Sequence, residues 1–228
     1  MANRSDIIAV PRLSGTGGSL ANEDLSVIRA SLVEAQPQSL VQHWSKTPER
    51  GFQRGDACAA WCPEFLHIFA RLEDEDIIMA GNLTAGAALV VADIFQFFVQ
   101  REGVGDYLEW HVTPDNRNQV LSWTPSRFSA FREGGISIDE ILLAETSGFS
   151  SQAWIDESEA VWSAYLAIPV RLLVPNAAKL REGLELCGSF CRFDSAPDSN
   201  SPVISSNSLF PSGPHLHESR HWSHFRLV

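Results

Sequence analysis

The run from Asp93 to Pro114 constrains the fold most: Asp-Ile-Phe-Gln-Phe-Phe-Val, a short Gly-rich turn, then Tyr-Leu-Glu-Trp-His-Val-Thr-Pro. Its aromatic and β-branched content reads as two strands and a hairpin, with Gly103 and Gly105 supplying the turn. Side chains alternate across a strand, so Ile94, Gln96 and Phe98 share one face while Phe95, Phe97 and Val99 share the other. In the second strand Tyr107, Glu109 and His111 lie opposite Leu108, Trp110 and Val112. A glutamine among side chains that a sheet buries needs a specific hydrogen-bond partner. Glu109 and His111, as i and i+2 residues, are expected roughly 7 Å apart, so a direct hydrogen bond between them would need a bent strand.

From Phe65 onward, short alternating runs recur between Gly, Pro, Asn and Ser clusters, the spacing of a sandwich or barrel. The runs predict strands near 65–72, 94–100, 107–113, 119–124, 136–144, 161–168, 186–193 and 224–228, without internal repeats. At 228 residues and 44% hydrophobic content the chain can bury one large core. The expected organisation is one all-β domain over 1–228, with sandwich and barrel both compatible with the spacing. Residues 1–40 form an N-terminal extension. Within it Ser14 to Ser19 is a Gly/Ser-rich break, and Asn22 can cap a short helix with Leu25, Ile28 and Leu32 on one face. Asp194 to Pro214, rich in Ser, Pro and Asn, reads as a long loop, either mobile or functional.

A net charge of −11, with only 17 scattered Lys and Arg, argues against nucleic acid or an anionic membrane as partner. Cys58, Cys62, Cys187 and Cys191 form two Cys-x-x-x-Cys pairs. For the second pair, residues four apart on one strand stand roughly 13 Å apart, too far for one metal ion. Reduced, buried thiols are therefore the expectation, with structural zinc the weaker reading and a cross-sandwich disulfide left open. Met1 to Val10 lacks the pattern of a signal peptide, and no run reaches the length of a membrane span, so the chain reads as cytoplasmic.

Several stretches, taken in order, resemble the family-nine carbohydrate-binding modules and the wider DOMON-like group of β-sandwiches. They are Ala60-Trp61, the strand Phe65 to Leu72 with its acidic end Glu73 to Asp76, the Asp93–Gln96 strand, Trp162 to Pro169 ending in Ile-Pro, Gly188 to Asp194, His215 to His217, and Phe225 to Val228. The resemblance spans roughly residues 40 to 228 and implies an antiparallel β-sandwich, immunoglobulin-like or jelly-roll-like, that binds saccharide on a concave sheet face. It departs from the family in two ways. The family's clamping tryptophans are absent from 82–92 and 204–211, and its glutamate and arginine ligand contacts fall on Gln96 and His111.

The candidate site follows. Gln96, Glu109 and His111 are expected as hydrogen-bonding groups for a saccharide or other small polar ligand, with Trp61, Trp123 and Arg127 as walls, since sugars stack on indoles and pair their hydroxyls. Trp110 and Trp123 also suit a plain core. Two rivals stay open: an enzyme using His111 as acid or base with Glu109 or Asp93, and an oligomerisation or protein-interaction face. No nucleophile elbow, phosphate loop or zinc-protease motif is present. Haem ligation lacks a matched Met and His pair. His215, His217, His221 and His224 form a weak zinc, copper or nickel candidate. Glu73 to Asp76 form a weak calcium candidate, more simply read as a solvated strand end.

Overall fold

A computed structural model describes residues 7–14, 18–82, 91–101, 105–196 and 201–228. Two sheets pack face to face. The smaller holds β2 (Gln38–Ser39), β3 (Gly55–Trp61), β4 (Phe65–Glu73), β8 (Ser150–Asp156) and β9 (Val161–Pro169), in the order β2-β3-β4-β9-β8. The larger runs β1 (Ile7–Val10), β12 (Ser223–Leu227), β10 (Glu185–Asp194), β5 (Ile94–Gln100), β6 (Tyr107–Val112), β7 (Asn118–Trp123). β11 (Val203–Ser206) pairs with the second half of β10. Among the described residues, three short α-helices complete the framework: α1 (Leu25–Ser31), α2 (Pro125–Arg132) and α3 (Val170–Leu173).

Alternation assigns the faces as expected. Phe95, Phe97, Val99, Leu108, Trp110 and Val112 enter the core between the sheets, where Phe190, Phe225 and Trp162 meet them. Phe97 lies 5.3 Å from Phe190 and 5.8 Å from Trp110 between ring centroids. Both sheets are also covered outside. Residues around α1 bury Cys58, Ala60, Tyr165 and Ala167 on the smaller sheet. On the larger sheet Phe98 and Cys191 pack under Phe210, Leu216 and Trp222.

Several expectations are corrected. No strand spans 136–144: Ser137 and Glu140 close a capping box over a 3-10 turn at Ile138–Glu140, and only an isolated bridge from Leu142 to Leu121 keeps strand character. Helix-start chemistry there overrides the apolar alternation. β1, β2, β3, β8 and β11 were not anticipated, and neither was α2, although Thr124 caps it by accepting from the Arg127 N–H and Pro125 opens it. α1 begins after Asp24 rather than at an Asn22 cap. Between the strands named, pairing is antiparallel except for β1 and β12, which are parallel, and Arg12 adds an isolated parallel bridge to Trp61. The 194–214 segment carries β11 and buries Phe210, so it is only partly loop. Of the hairpin glycines, Gly105 has the left-handed φ of +74°, and Gly103 lies outside the described residues.

The four cysteines are free thiols on opposite sides of the molecule. Cys58 sits on the outer face of the smaller sheet and Cys191 on that of the larger, so neither a shared zinc site nor a cross-sandwich disulfide fits. Burial pushes both thiols up to about 12. Cys62 Sγ lies 3.3 Å from His67 Nε2, and His67 Nδ1 lies 2.7 Å from the Tyr165 hydroxyl, a polar group closed beneath the N-terminal segment.

One charge points inward. Arg192, on β10, is fully buried and donates through Nη1 to the Glu73 carbonyl at 2.6 Å. Its Nη2 donates to Asp74 at 2.9 Å and lies 3.1 Å from Asp194. Asp93 adjoins them, its Oδ1 accepting from Ser195 N–H at 2.8 Å and its Oδ2 from Ile78 N–H. This cluster ties the ends of β4 and β10 to the start of β5. Burial, then the neighbouring Asp74, raises Asp93 from 3.8 to about 8, and burial raises Asp194 to about 7 against the pull of Arg192.

Two outcomes are expected. Gly188, where β10 passes from β12 to β11, would place an added Cβ 2.5 Å from the Phe98 carbonyl oxygen. Gly188→Ala is expected to lower unfolding free energy by about 1–3 kcal/mol in denaturant titrations. Asp93 binds its proton more tightly folded than unfolded. Its stabilisation is therefore full below about pH 4 and is lost as pH rises towards about 8. Thermal melts across that window should show the native chain losing stability relative to Asp93→Asn, and parallel curves would refute the assignment.

Candidate functional site

The outer face of β5 and β6 is not an open concave surface. α2 and the segment 203–222 roof it, because that face carries enough apolar area to draw cover: Phe98 meets Trp222 at 5.6 Å, and Trp123 meets Phe128 at 5.7 Å and Phe131 at 5.4 Å. His217 is the keystone of the roof. Its ring lies 4.5 Å from Phe128, 5.1 Å from Trp123 and 5.3 Å from Phe98, and its Nδ1 lies 2.8 Å from the Tyr107 hydroxyl. Burial holds this imidazole below its ordinary range.

Beneath the roof, strand register aligns Cys191, Gln96, His111 and Gln119 in one row across four strands. Gln96, His111 and Glu109 are respectively 1%, 2% and 4% exposed, so each requires a partner inside the protein. His111 Nε2 lies 2.5 Å from Glu109 Oε1, which corrects the expected separation: the strand pitch spaces the backbones, but two long side chains lean along the strand and their tips meet. Gln119 Nε2 lies 2.7 Å from His111 Nδ1, and the Trp123 indole donates to Glu109 Oε2 at 2.6 Å. Burial works to raise the Glu109 carboxyl, yet His111, His217 and the indole together hold it below the usual carboxylate range. The result is a closed relay from Gln119 through His111 and Glu109 to Trp123. Gln96 stands apart, because its Oε1 is buried and has no hydrogen-bond partner among the described residues.

Two cavities flank this relay. One, of about 320 Å³, is floored by Gln96, Phe98 and Glu109 and walled by Phe128, Arg132, Phe193, Ile204 and residues 214–218. The other, of about 460 Å³, is lined by Ile94, His111, Thr113, Arg117, Gln119 and Leu142 among others. The first combines aromatic and aliphatic walls with a few converging polar groups, the usual make-up of a small-molecule pocket.

The expected wall residues are only partly assembled. Trp123 reaches the face but is spent on Glu109 and on packing. Trp61 is corrected: it belongs to β3, enters the core between the sheets and donates to the Val228 carbonyl at 3.0 Å. Arg127 is corrected as well, lying exposed on α2 with Nη1 donating to the Ser122 carbonyl at 3.2 Å. Asp93 serves the Arg192 cluster and does not join His111.

Neither metal candidate assembles. His217 is held by Tyr107, His221 by Glu218 at 3.4 Å, and His215 and His224 are exposed. Among the described residues, the one grouping with metal-ligand spacing is Asp74, Asp93 and Asp194. Of the Glu73–Asp76 run only Asp74 enters it, and the Arg192 guanidinium already stands between Asp74 and Asp194 as their cation. Sequence reasoning missed Gln119, Phe128, Arg132, Phe193 and Arg192. An arginine inside the apolar strand Ser-Phe-Cys-Arg-Phe was a readable signal of a buried ion pair.

By sequence the chain matches no protein-family model and no curated protein. By structure it is similar to a putative carbohydrate-binding protein from Bacteroides uniformis ATCC 8492, with a TM-score of 0.70 at 12% identity, covering 98% of this chain and 100% of that one. It is similar too to a family 9 carbohydrate-binding module from Caldicellulosiruptor kristjanssonii solved with cellotriose, with a TM-score of 0.62 at 11% identity, covering 97% and 93% of the two chains. The same organism's module solved with glucose gives 0.62 at 10% identity, covering 96% and 95%. The chain thus folds as a β-sandwich like that of the family 9 carbohydrate-binding modules.

Proposed function

We propose that this protein binds a saccharide, without transforming it, in the cavity floored by Gln96. The observation that carries the reading is the unpartnered Oε1 of Gln96, 1% exposed, on the floor of that 320 Å³ cavity. A buried amide oxygen without a partner costs about 1–3 kcal/mol, which a ligand hydroxyl placed there recovers. Phe128 and Phe193 supply apolar faces for a sugar ring. The fold's likeness to modules solved with glucose and cellotriose supports the same ligand class.

His111 favours binding over acid–base chemistry. Both its ring nitrogens are engaged, by Gln119 and by Glu109, so neither is free to exchange a proton with a ligand. The test is thermal shift and calorimetry with glucose and cellotriose, on the native chain and on Gln96→Ala. Saturating ligand is expected to raise the melting temperature of the native chain, since it binds the folded state alone. Gln96→Ala is expected to lose most of that rise while still folding. A rise unchanged in the variant moves the ligand elsewhere, and no rise with any sugar refutes the reading.

A further inference from the structure

We infer that the sugar taken by this cavity is anionic and carries a carboxylate, as a uronic acid does, with Arg132 as the residue that reads it. The inference deepens the saccharide reading and rests on it. Three ionised side chains line the cavity: Glu109, Arg132 and Glu218. Both carboxylates are already served. Glu109 is held by His111 and Trp123. Glu218 accepts from Arg220 at 2.8 Å and lies 3.4 Å from His221. The Arg132 guanidinium makes no hydrogen bond and no ion pair among the described residues, although the chain carries a net charge of −11 and offers carboxylates in excess.

Its position suits a ligand. Arg132 sits in the last turn of α2, and its charge acts on His217, the residue that roofs the cavity. It also lines the adjoining groove beside Tyr107, so it stands where the two spaces meet. A guanidinium presents a planar fork matched to a carboxylate, and such charge-assisted pairs are about twice as strong as neutral hydrogen bonds. Gln96 below offers the acceptor a sugar hydroxyl needs. One uncompensated cation balances one carboxylate. A dianionic phosphate would be left with excess charge above the Glu109 carboxylate, which disfavours it.

The experiment is calorimetry on the full chain with glucuronic and galacturonic acids, glucose, galactose and glucose 6-phosphate, repeated with Arg132→Gln, Arg132→Lys and Gln96→Ala. The acids are expected to bind the native chain about tenfold or more tighter than their neutral parents. That ratio should fall close to one in Arg132→Gln and to an intermediate value in Arg132→Lys, which keeps the charge but loses the fork. Added salt should weaken the acids selectively. Arg132 is exposed, so the variants are expected to melt with the native chain, and melts check this. Neutral sugars that bind through Gln96 as tightly as the acids would overturn the anionic assignment and leave the saccharide reading standing. A preference that survives Arg132→Gln, or tighter binding of the phosphate than of the acids, would also overturn it. Absence of binding by every sugar would overturn both.

Discussion

Burial on both faces governs the larger sheet, and most of what is distinctive about this protein follows from it. A half-solvated sheet can leave polar side chains to water, but one covered by a core on one side and by its own chain on the other must satisfy them internally. The outer face of β5, β6 and β7 does so with a relay in which Gln119, His111, Glu109 and Trp123 pair in sequence. Each member restricts its neighbours, because in a low dielectric an unmade hydrogen bond is costly. Against this background the unpartnered oxygen of Gln96 has weight: it is the atom on that floor left for something else.

On the inner side Arg192 places a full charge between the sheets, and its Nε and Asp194 Oδ2 are left without partners among the described residues. Two aspartates, Asp74 and Asp194, and the carbonyl of Glu73 receive it, while Asp93 is turned to backbone N–H groups beside them. Buried ion pairs seldom add net stability over a well-packed apolar alternative. Here the cluster fixes where the ends of β4 and β10 and the start of β5 meet. β5 bears Gln96, and charged hydrogen bonds supply there a directionality that an apolar contact lacks.

The sequence was legible where one period dominated. The alternation in 94–100 and 107–112 gave both strands, their faces and the placement of Gln96, Glu109 and His111 on one of them. It failed where local signals competed or were short. Residues 136–144 alternate in hydrophobicity, yet Ser137 and Glu140 supply a capping box, and the turn won. Edge strands such as β1, β2 and β11 span two to four residues, too few for a period to register. α2 has a clear start at Thr124-Pro125 but little amphipathic pattern, since it packs through two phenylalanines, on Trp123 and His217.

By itself the sequence determined an all-β chain with the strand spacing of a sandwich or barrel, the faces of the central strands and the residue types on the face of interest, because alternation and burial act between neighbours along the chain. Only the tertiary structure decided that Trp61 belongs to the core, that His111 and Glu109 touch, and that Arg132 on α2 and Gln96 on β5 line one cavity. Those facts depend on side chains meeting across strands and on a roof folded back from the C-terminal segment. Contacts between residues so distant in sequence are set by packing, which no local pattern encodes.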